Sequence, residues 1–250
     1  MEEKTLYCDR RTLIVTESTN DYIRHVPVPP GCDILLVTTE YQTAGRGQGT
    51  NKWESEKGKN LLFSIKLKPE NIWIGDQFIL TMATSIALCE TFIYTFHDEG
   101  FTIKWPNDIY YHDKKVSGTL SECSIRKGFV NEYIAGIGIN VNQLFFRGDA
   151  PNPISLSFIA GHEINREELL DDIMDRFCQY VEYVNRKKYE YLRRIYNNSL
   201  YRKDGIYEYE DKYGRFKAKL SRIMPNGHLE LQRIDGTLSE YEFKQVKFIL

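Results

Sequence analysis

The chain has 250 residues, of which 42% are hydrophobic and 27% are charged, and its formal net charge is −2. This composition supplies enough apolar material for one large core with a small appendage, so it argues against a disordered chain. The nearly balanced charge argues against a protein that coats a polyanion, and any basic site must therefore be local.

The N-terminus and the cysteines indicate a cytoplasmic protein. Residues 1–4 are mostly charged, and the apolar core of a signal peptide does not follow them. The five cysteines are odd in number and widely spaced, so we expect reduced, mostly buried thiols, neither disulfides nor zinc ligands. The longest apolar stretch, residues 78–96, contains several hydroxyl side chains and Glu90. It therefore predicts a buried helix, with no membrane span.

In chain order, the first half alternates helix-like and strand-like segments. Ser18 begins a run of side chains that suit a helix N-cap. Asp76 is predicted to cap a long helix that ends near His97. The predicted strands are residues 33–39, 60–67, 101–105, 109–111, 115–124 and 133–142, with a hairpin turn at Asp113-Lys114.

The second half begins with helices and ends with short strands. Asn165 and Glu168 form a capping-box pattern, and apolar residues then recur at helical spacing to about Asn198. From Gly205 onward, alternating strands are separated by turn sequences such as Asp235-Gly236. We therefore predict a catalytic or binding domain over residues 1–200 and a small barrel over residues 201–250.

The loop after the first buried strand is rich in glycine and carries positive charge. Gly45 and Gly47 let backbone N–H groups converge on an anion, and Arg46 adds a planar cation suited to carboxylate or phosphate. Trp53 can close over the loop. The spacing matches neither a P-loop nor a dinucleotide fingerprint. An ordinary glycine-rich hairpin is the alternative interpretation.

A stiff corner ends the predicted strand at residues 101–105, in the segment Lys104-Trp105-Pro106-Asn107-Asp108. Pro106 fixes the backbone, so the neighbouring polar groups point reproducibly in one direction. Asn107 and Asp108 offer hard oxygen ligands for Mg²⁺ or for a triphosphate held through it. A simple turn after a strand explains the same residues.

Two further strands carry residues of interest. Lys115 is half of a lysine pair at a turn, where solvent exposure is the ordinary explanation. Gly118 within a strand indicates a bulge or a closely approaching ligand. Gly136 and Gly138 clear one face of a strand and leave an apolar slot, with Asn140 on the same face. Close packing of a helix against that face is the alternative.

The remaining polar residues limit which reactions the site could catalyse. Ser18, Thr19 and Asn20 could bond a neutral polar ligand while also capping a helix. The histidines are scattered and suit neither a catalytic triad nor a zinc site. Cations, glycine amides and an apolar slot together fit the activation of a small carboxylic acid by a nucleotide.

Taken together and in order, these segments resemble the biotin protein ligases along the whole chain. The resemblance implies an α+β fold: a class II synthetase-like mixed sheet with helices on one side, followed by a small C-terminal SH3-like β-barrel. Ser18 lies near the start of the chain. The expected type is therefore the monofunctional one, without an N-terminal DNA-binding domain.

The resemblance also implies a reaction. Biotin and ATP, with Mg²⁺, would form biotinyl-5′-AMP, and biotin would then pass to a lysine of the carrier domain of an acyl-CoA carboxylase or related carboxylase. A homodimer is one alternative for the assembly. Neither specific DNA binding nor membrane binding is expected.

The resemblance assigns residues to each part of the site, with Arg46 and Lys115 as catalytic cations. The biotin-binding residues would be Ser18, Thr19, Asn20, Gln42, Gly45, Arg46, Gly47, Lys115, Gly118, Gly136 and Gly138. The nucleotide-binding residues would be Arg46, Gln48, Trp53, Asn107, Asp108, Lys115 and Asn140, with Asp108 also binding Mg²⁺.

One departure and two alternatives accompany the resemblance. Gln48 stands where many family members carry an arginine, so this loop has less positive charge to retain the intermediate. A lipoate or octanoate ligase shares the fold, but Gln42 with Ser18 and Thr19 suits a polar bicyclic head better than an aliphatic chain. A ligand-sensing regulator that contacts nucleic acid would need a basic face, which the balanced charge disfavours.

Overall fold

The larger of two sheets carries the N-terminal part of the chain. A computed structural model describes residue 6 and residues 8–148 and 152–249, so the charged residues 1–4 lie outside the described part. The strands of this sheet are β1 (Cys8–Leu13), β2 (Ile34–Thr39), β3 (Leu61–Leu67), β4 (Phe101–Lys104), β5 (Asp108–Tyr111), β6 (Lys114–Arg126) and β7 (Phe129–Ile139). Within the described residues their order is β1-β2-β3-β7-β6-β5-β4, and β1 pairs with β2 in parallel while the other pairs are antiparallel.

Helices cover both faces of this sheet. They are α1 (Thr19–Arg24), α2 (Phe78–Phe96), α3 (Leu156–Ala160), α4 (Arg166–Asn185) and α5 (Tyr189–Asn198). Side chains alternate along a strand, so Ile34 and Leu36 join the core under α2 and α4, whereas Leu35 and Val37 pack with Ile23 of α1 on the other face. The expectation of helices on one side is therefore wrong, because β2 is apolar on both faces and α1 covers the second one.

Local sequence signals located some of the helix ends. Ser18 caps α1 by accepting a hydrogen bond from the Asp21 N–H, and Asn165 caps α4 by accepting from Glu167 N and Glu168 N. Asp76 does not cap α2. It ends a short 3-10 turn, Ile74–Asp76, and its carboxylate pairs with Arg193. The Asp76 carboxylate, which the sequence pattern predicted to cap α2, therefore forms an ion pair with a residue distant in sequence.

The predicted position of the hairpin turn between β5 and β6 needs correction. The hairpin turn lies at His112-Asp113, not at Asp113-Lys114, because β6 already begins at Lys114 and pairs it with Tyr111.

The prediction that the cysteine thiols are mostly buried is also wrong. All five are free, but Cys89 is buried while Cys8 and Cys123 are exposed. Strand β1, which carries Cys8, lies at the edge of the sheet and was not predicted from the sequence.

The apolar stretch around α2 forms part of the core. Residues 74–96 are long and apolar enough to span a membrane, but 72% of the most apolar window is buried inside the protein. Ile79, Ile86 and Phe92 all lie within the core that α2 shares with the sheet. A core helix accounts for this burial, as predicted.

The C-terminal part of the chain forms the smaller sheet. Its strands are β8 (Tyr207–Asp211), β9 (Gly214–Ile223), β10 (Leu229–Arg233), β11 (Leu238–Tyr241) and β12 (Lys247–Phe248), which are antiparallel in the order β11-β10-β9-β8-β12. This sheet is the predicted small β domain. Trp105 Nε1 donates a hydrogen bond of 2.8 Å to the Gly227 carbonyl, which joins the two sheets. The domain boundary between residues 200 and 201 stays a prediction.

A buried lysine fixes α1 on its face of the sheet. Lys66 on β3 is 3% exposed, and its Nζ donates to the carbonyls of Arg24, the last residue of α1, and Val26, just past its end. The same ammonium lies 3.2 Å from Glu132. These contacts offset the desolvation of the charge and satisfy carbonyls that a helix end leaves without partners.

We expect Lys66→Met to lower the free energy of unfolding by about 2–3 kcal/mol, because Glu132 and the α1 carbonyls lose their charged donor. Urea unfolding at fixed pH measures the change. Lys68→Met is the matched control, since Lys68 is exposed. Equal unfolding midpoints for the two variants would show that Lys66 does not secure α1.

Candidate functional site

The candidate site lies on the α1 face of the larger sheet. The register places Ser64 of β3 opposite Gly136 of β7, and Gly136 opposite Leu120 of β6. One step along, Gly138 of β7 faces Gly118 of β6. Because alternate residues share a face, the three glycines form a floor without side chains beside α1.

The start of α1 and a residue of the glycine-rich loop form a polar cluster above this floor. The Gln42 side-chain oxygen accepts hydrogen bonds from Thr19 N at 2.8 Å and from Thr19 Oγ1 at 3.0 Å. Ser18, the N-cap residue, precedes Thr19 and is buried with it. The structure therefore brings together the residues predicted from the helix start and from the loop.

Asn20 lies directly over the floor. Its Oδ1 lies 2.6 Å from Ser64 Oγ, and its Nδ2 donates to the Leu120 carbonyl at 3.3 Å. A Cβ added at Gly136 would lie 2.1 Å from Asn20 Oδ1. Sequence reasoning missed Ser64, although a hydroxyl within the apolar run of β3 was a signal that could have found it.

Trp53 fills the slot that the other two glycines clear. A Cβ at Gly138 would lie 2.2 Å from Trp53 Cε2, and a Cβ at Gly118 would lie 2.9 Å from Trp53 Cζ3. The indole Nε1 is buried and has no hydrogen-bond partner among the described residues. A buried donor without a partner costs free energy, so a ligand acceptor at this point would be stabilised.

The glycine-rich loop forms a small hairpin. Gly47 N donates to the Asn51 carbonyl at 2.8 Å, and Trp53 N donates to the Gly45 carbonyl at 3.0 Å. A Cβ at Gly45 would lie 2.7 Å from the Trp53 carbonyl oxygen, so glycine is needed there for close packing. The Gly47 amide is occupied within the hairpin, which agrees with the alternative interpretation of this loop, and an anion-binding role for that amide stays a prediction.

Arg46 lies between two carboxylates that sequence reasoning did not select. Its Nη1 is 3.3 Å from Asp21 Oδ1, and its Nη2 is 3.4 Å from Glu122 Oε1. Arg24 contacts the same two carboxylates. Glu122 follows Gly118 and Leu120 on the same face of β6, so the alternation of the strand could have indicated it.

Lys115 lies at the opposite end of the floor. Its Nζ is 2.6 Å from Asp108 Oδ2 and 5.9 Å from the centre of the Trp53 ring. Asn140 is buried, and its Nδ2 donates to the Lys115 carbonyl at 3.4 Å. Asn107 comes directly before Asp108 at the corner between β4 and β5. Three of the predicted nucleotide-binding residues, Asp108, Asn140 and Trp53, thus lie beside Lys115, whereas Arg46 lies at the other end of the floor.

Lys104 has a different environment. Its Nζ donates to Tyr110 Oη at 3.1 Å and lies over the rings of Tyr110 and Phe248. Burial lowers the pKa of the Lys104 amine below its usual value, while the Asp108 carboxylate opposes that shift. Because Phe248 belongs to β12, Lys104 connects the two sheets.

Known proteins resemble this chain in sequence and in fold. The model of the biotin/lipoate A/B protein ligase family matches residues 12–140. A relative from Bacillus subtilis, named bifunctional ligase/repressor BirA, is 33% identical over 179 residues, which cover 70% of this chain and 52% of that protein. A relative from Paracoccus denitrificans, named biotin–[acetyl-CoA-carboxylase] ligase, is 28% identical over 66% of this chain and 70% of its own length.

A solved structure shares the whole fold. The biotin protein ligase from Aquifex aeolicus in complex with biotin and ATP matches with a TM-score of 0.79 and 24% identity, over 96% of this chain and 99% of that one. This likeness confirms the predicted mixed sheet with a small C-terminal β domain. The chain spans about half the length of the Bacillus relative.

Proposed function

This chain belongs to the biotin/lipoate A/B protein ligase family, and from that membership we propose that it is an ATP-dependent biotin ligase. The observation that carries the proposal is a polar cluster at one end of a glycine floor, with Lys115 at the other end. The cluster consists of the buried residues Thr19, Asn20 and Ser64 and the half-buried Gln42. A flat polar head, an apolar body and a carboxylate fit that order.

The polar cluster suits the ureido ring of biotin. This ring is neutral and offers both donors and acceptors, and the side chains of Thr19, Asn20 and Gln42 offer the complementary groups. The apolar ring and tail would lie over Gly138 and Gly118, in the slot that the Trp53 indole fills before biotin binds. Burial of that surface would supply affinity, and the polar groups would supply specificity.

Trp53 would move when biotin binds, because its indole fills the slot over Gly138. The surrounding loop contains Gly45, Gly47 and Gly49, which allow the backbone to change course. After binding, the loop would close over the site and keep water from the reactive anhydride. The buried Nε1 of Trp53 would then gain an acceptor.

The first half-reaction would join biotin to the nucleotide. An oxygen of the biotin carboxylate attacks the α-phosphorus of ATP, and the bond to the pyrophosphate oxygen breaks. Lys115 would stabilise the negative charge that grows on the phosphoryl oxygens. Arg46 would join it when loop closure carries it away from Asp21 and Glu122, at the other end of the floor. The carboxylates beside them, Asp108, Asp21 and Glu122, would hold these cations in place before the substrate arrives.

Mg²⁺ would enter with the triphosphate. Among the described residues no group of three or more His, Cys, Asp or Glu side chains could enclose a metal ion. Asp108 and Asn107 nevertheless provide oxygen donors at the corner near Lys115, which suits an ion held mainly by phosphates and water. When bound, Mg²⁺ would neutralise part of the triphosphate charge.

The second half-reaction would transfer biotin to a protein. The neutral amine of a carrier lysine attacks the carbonyl carbon of biotinyl-5′-AMP, loses a proton and releases AMP. The Paracoccus relative is named for acetyl-CoA carboxylase, which supports a carboxylase carrier domain as the partner. A cytoplasmic location and a homodimer remain proposals, as does the division into residues 1–200 and 201–250.

Within the family, a lipoate or octanoate ligase is the alternative function, because the family model covers both kinds of ligase. The polar cluster around Gln42 favours biotin, since a polar head can exchange hydrogen bonds with these groups and an aliphatic acyl chain cannot. A ligand-sensing regulator would use the same pocket without turnover. The predicted nucleotide-binding residues around Lys115 favour an ATP-dependent enzyme over such a regulator.

Exchange of labelled pyrophosphate into ATP tests the proposal. We expect purified protein with Mg²⁺ to catalyse exchange with biotin and not with lipoate, octanoate or no acid. Exchange with lipoate alone would assign the protein as a lipoate ligase. No exchange with any of the acids would indicate a ligand-sensing regulator. Addition of an apo carrier domain should then produce biotinylated carrier and AMP in equal amounts.

A further inference from the structure

A turn of the small β domain reaches the glycine-rich loop. Lys244 lies between β11 and β12, and its Nζ donates a hydrogen bond of 3.2 Å to the Gln48 carbonyl at the tip of the loop. A Cβ added at Gly49 would lie 2.5 Å from the same Nζ. Position 49 is therefore held close to this ammonium group.

The turn is anchored to the corner that carries Asp108. Phe243 packs edge-on against Trp105 with ring centres 5.9 Å apart, and Trp105 also bonds to Gly227 of the small β domain. Within the turn, Gln245 N donates to the Glu242 carbonyl at 3.1 Å. Lys244 therefore lies on a turn that is held next to the corner with Asn107 and Asp108, two of the predicted nucleotide-binding residues.

The environment of Lys244 differs from that of Arg46 and Lys115. Arg46 is paired with Asp21 and Glu122, and Lys115 is paired with Asp108. In the described part of the chain no carboxylate lies within ion-pair distance of Lys244, whose bond to the Gln48 carbonyl leaves its full charge. An unneutralised cation beside the loop attracts phosphate more strongly than a paired one.

We propose that Lys244 binds the β- and γ-phosphates of ATP and supplies the positive charge that the loop lacks at Gln48. The inference rests on the proposed function and extends it to the small β domain, which becomes part of the nucleotide site. Pyrophosphate, the same pair of phosphates after adenylate formation, binds to the same ammonium group.

The test uses the whole chain and the pyrophosphate exchange assay with biotin. We expect Lys244→Ala to raise KM for both ATP and pyrophosphate by about fivefold, the upper range for an exposed ion pair. KM for biotin should not change. Lys217→Ala is the matched control, because Lys217 is exposed on β9 and outside the site.

A second variant separates charge from structure. Gln48→Arg in the Lys244→Ala background should restore both KM values, since it returns a cation to the loop. Unchanged KM values in Lys244→Ala, or failure of Gln48→Arg to restore them, would overturn the inference. If the wild-type chain shows no biotin-dependent exchange, the proposed function fails, and calorimetric titration with ATP then tests Lys244. Equal affinities of wild type and Lys244→Ala would reject it.

Discussion

Replacing Lys115 by alanine is expected to slow biotin-dependent pyrophosphate exchange by about 10²- to 10³-fold, the usual cost of losing one donor to a developing oxyanion. The ammonium group lies 2.6 Å from Asp108 and beside the Trp53 ring. That placement lets it meet the phosphoryl oxygens when the loop closes. Removal also leaves the Asp108 carboxylate without its cation, which adds repulsion toward the triphosphate.

Lys104→Ala is the comparison that isolates this effect. Lys104 packs between Tyr110 and Phe248 at the junction of the two sheets, so its loss should reduce stability more than the exchange rate. Thermal unfolding of both variants separates the two consequences. An exchange rate reduced equally or more in Lys104→Ala would show that the assignment of the catalytic lysine is wrong.

Gly136→Ala should raise KM for biotin by about 10²-fold, since displacement of Asn20 would cost the ligand two or three hydrogen bonds in the polar cluster, each worth about 1 kcal/mol. The added Cβ would stand 2.1 Å from Asn20 Oδ1. Asn20 cannot simply turn away, because Ser64 and the Leu120 carbonyl hold its amide. Measurement of KM for biotin at saturating ATP gives the effect, and KM for ATP should change little.

Gly138→Ala is the matched variant one step along the same strand. Its Cβ would meet the Trp53 indole at 2.2 Å, but Trp53 belongs to a glycine-rich hairpin that can shift. We therefore expect a smaller rise in KM for biotin than in Gly136→Ala. A larger effect at Gly138 would indicate that the floor under Trp53, and not the polar cluster that contains Asn20, governs biotin binding.

Local patterns were predictable where short-range chemistry decides them. The N-cap residues Ser18 and Asn165 were identified because their hydrogen bonds close within three residues. The strands beside the glycine-rich loop followed from continuous apolar runs. The same reasoning wrongly predicted that Asp76 caps α2, because its carboxylate pairs with Arg193, which is distant in sequence.

The site was only partly predictable, because its members come from distant parts of the chain. Ser64 bonds to Asn20 across 44 positions, Glu122 pairs with Arg46 across 76, and Lys244 reaches Gln48 across 196. None of these three partners belongs to a motif. Each became visible only when strand register and the packing of the small β domain brought it near the loop.

The sequence by itself determined the family resemblance, the residues of each motif and the change from helices to short strands near Gly205. These properties depend on residue type, periodicity and short spacing, which one chain displays directly. The tertiary structure alone decided that α1 lies opposite α2, that Trp53 fills the glycine slot and that Lys244 contacts the loop. Those outcomes depend on which faces and edges meet in the folded chain, and long-range packing settles that choice.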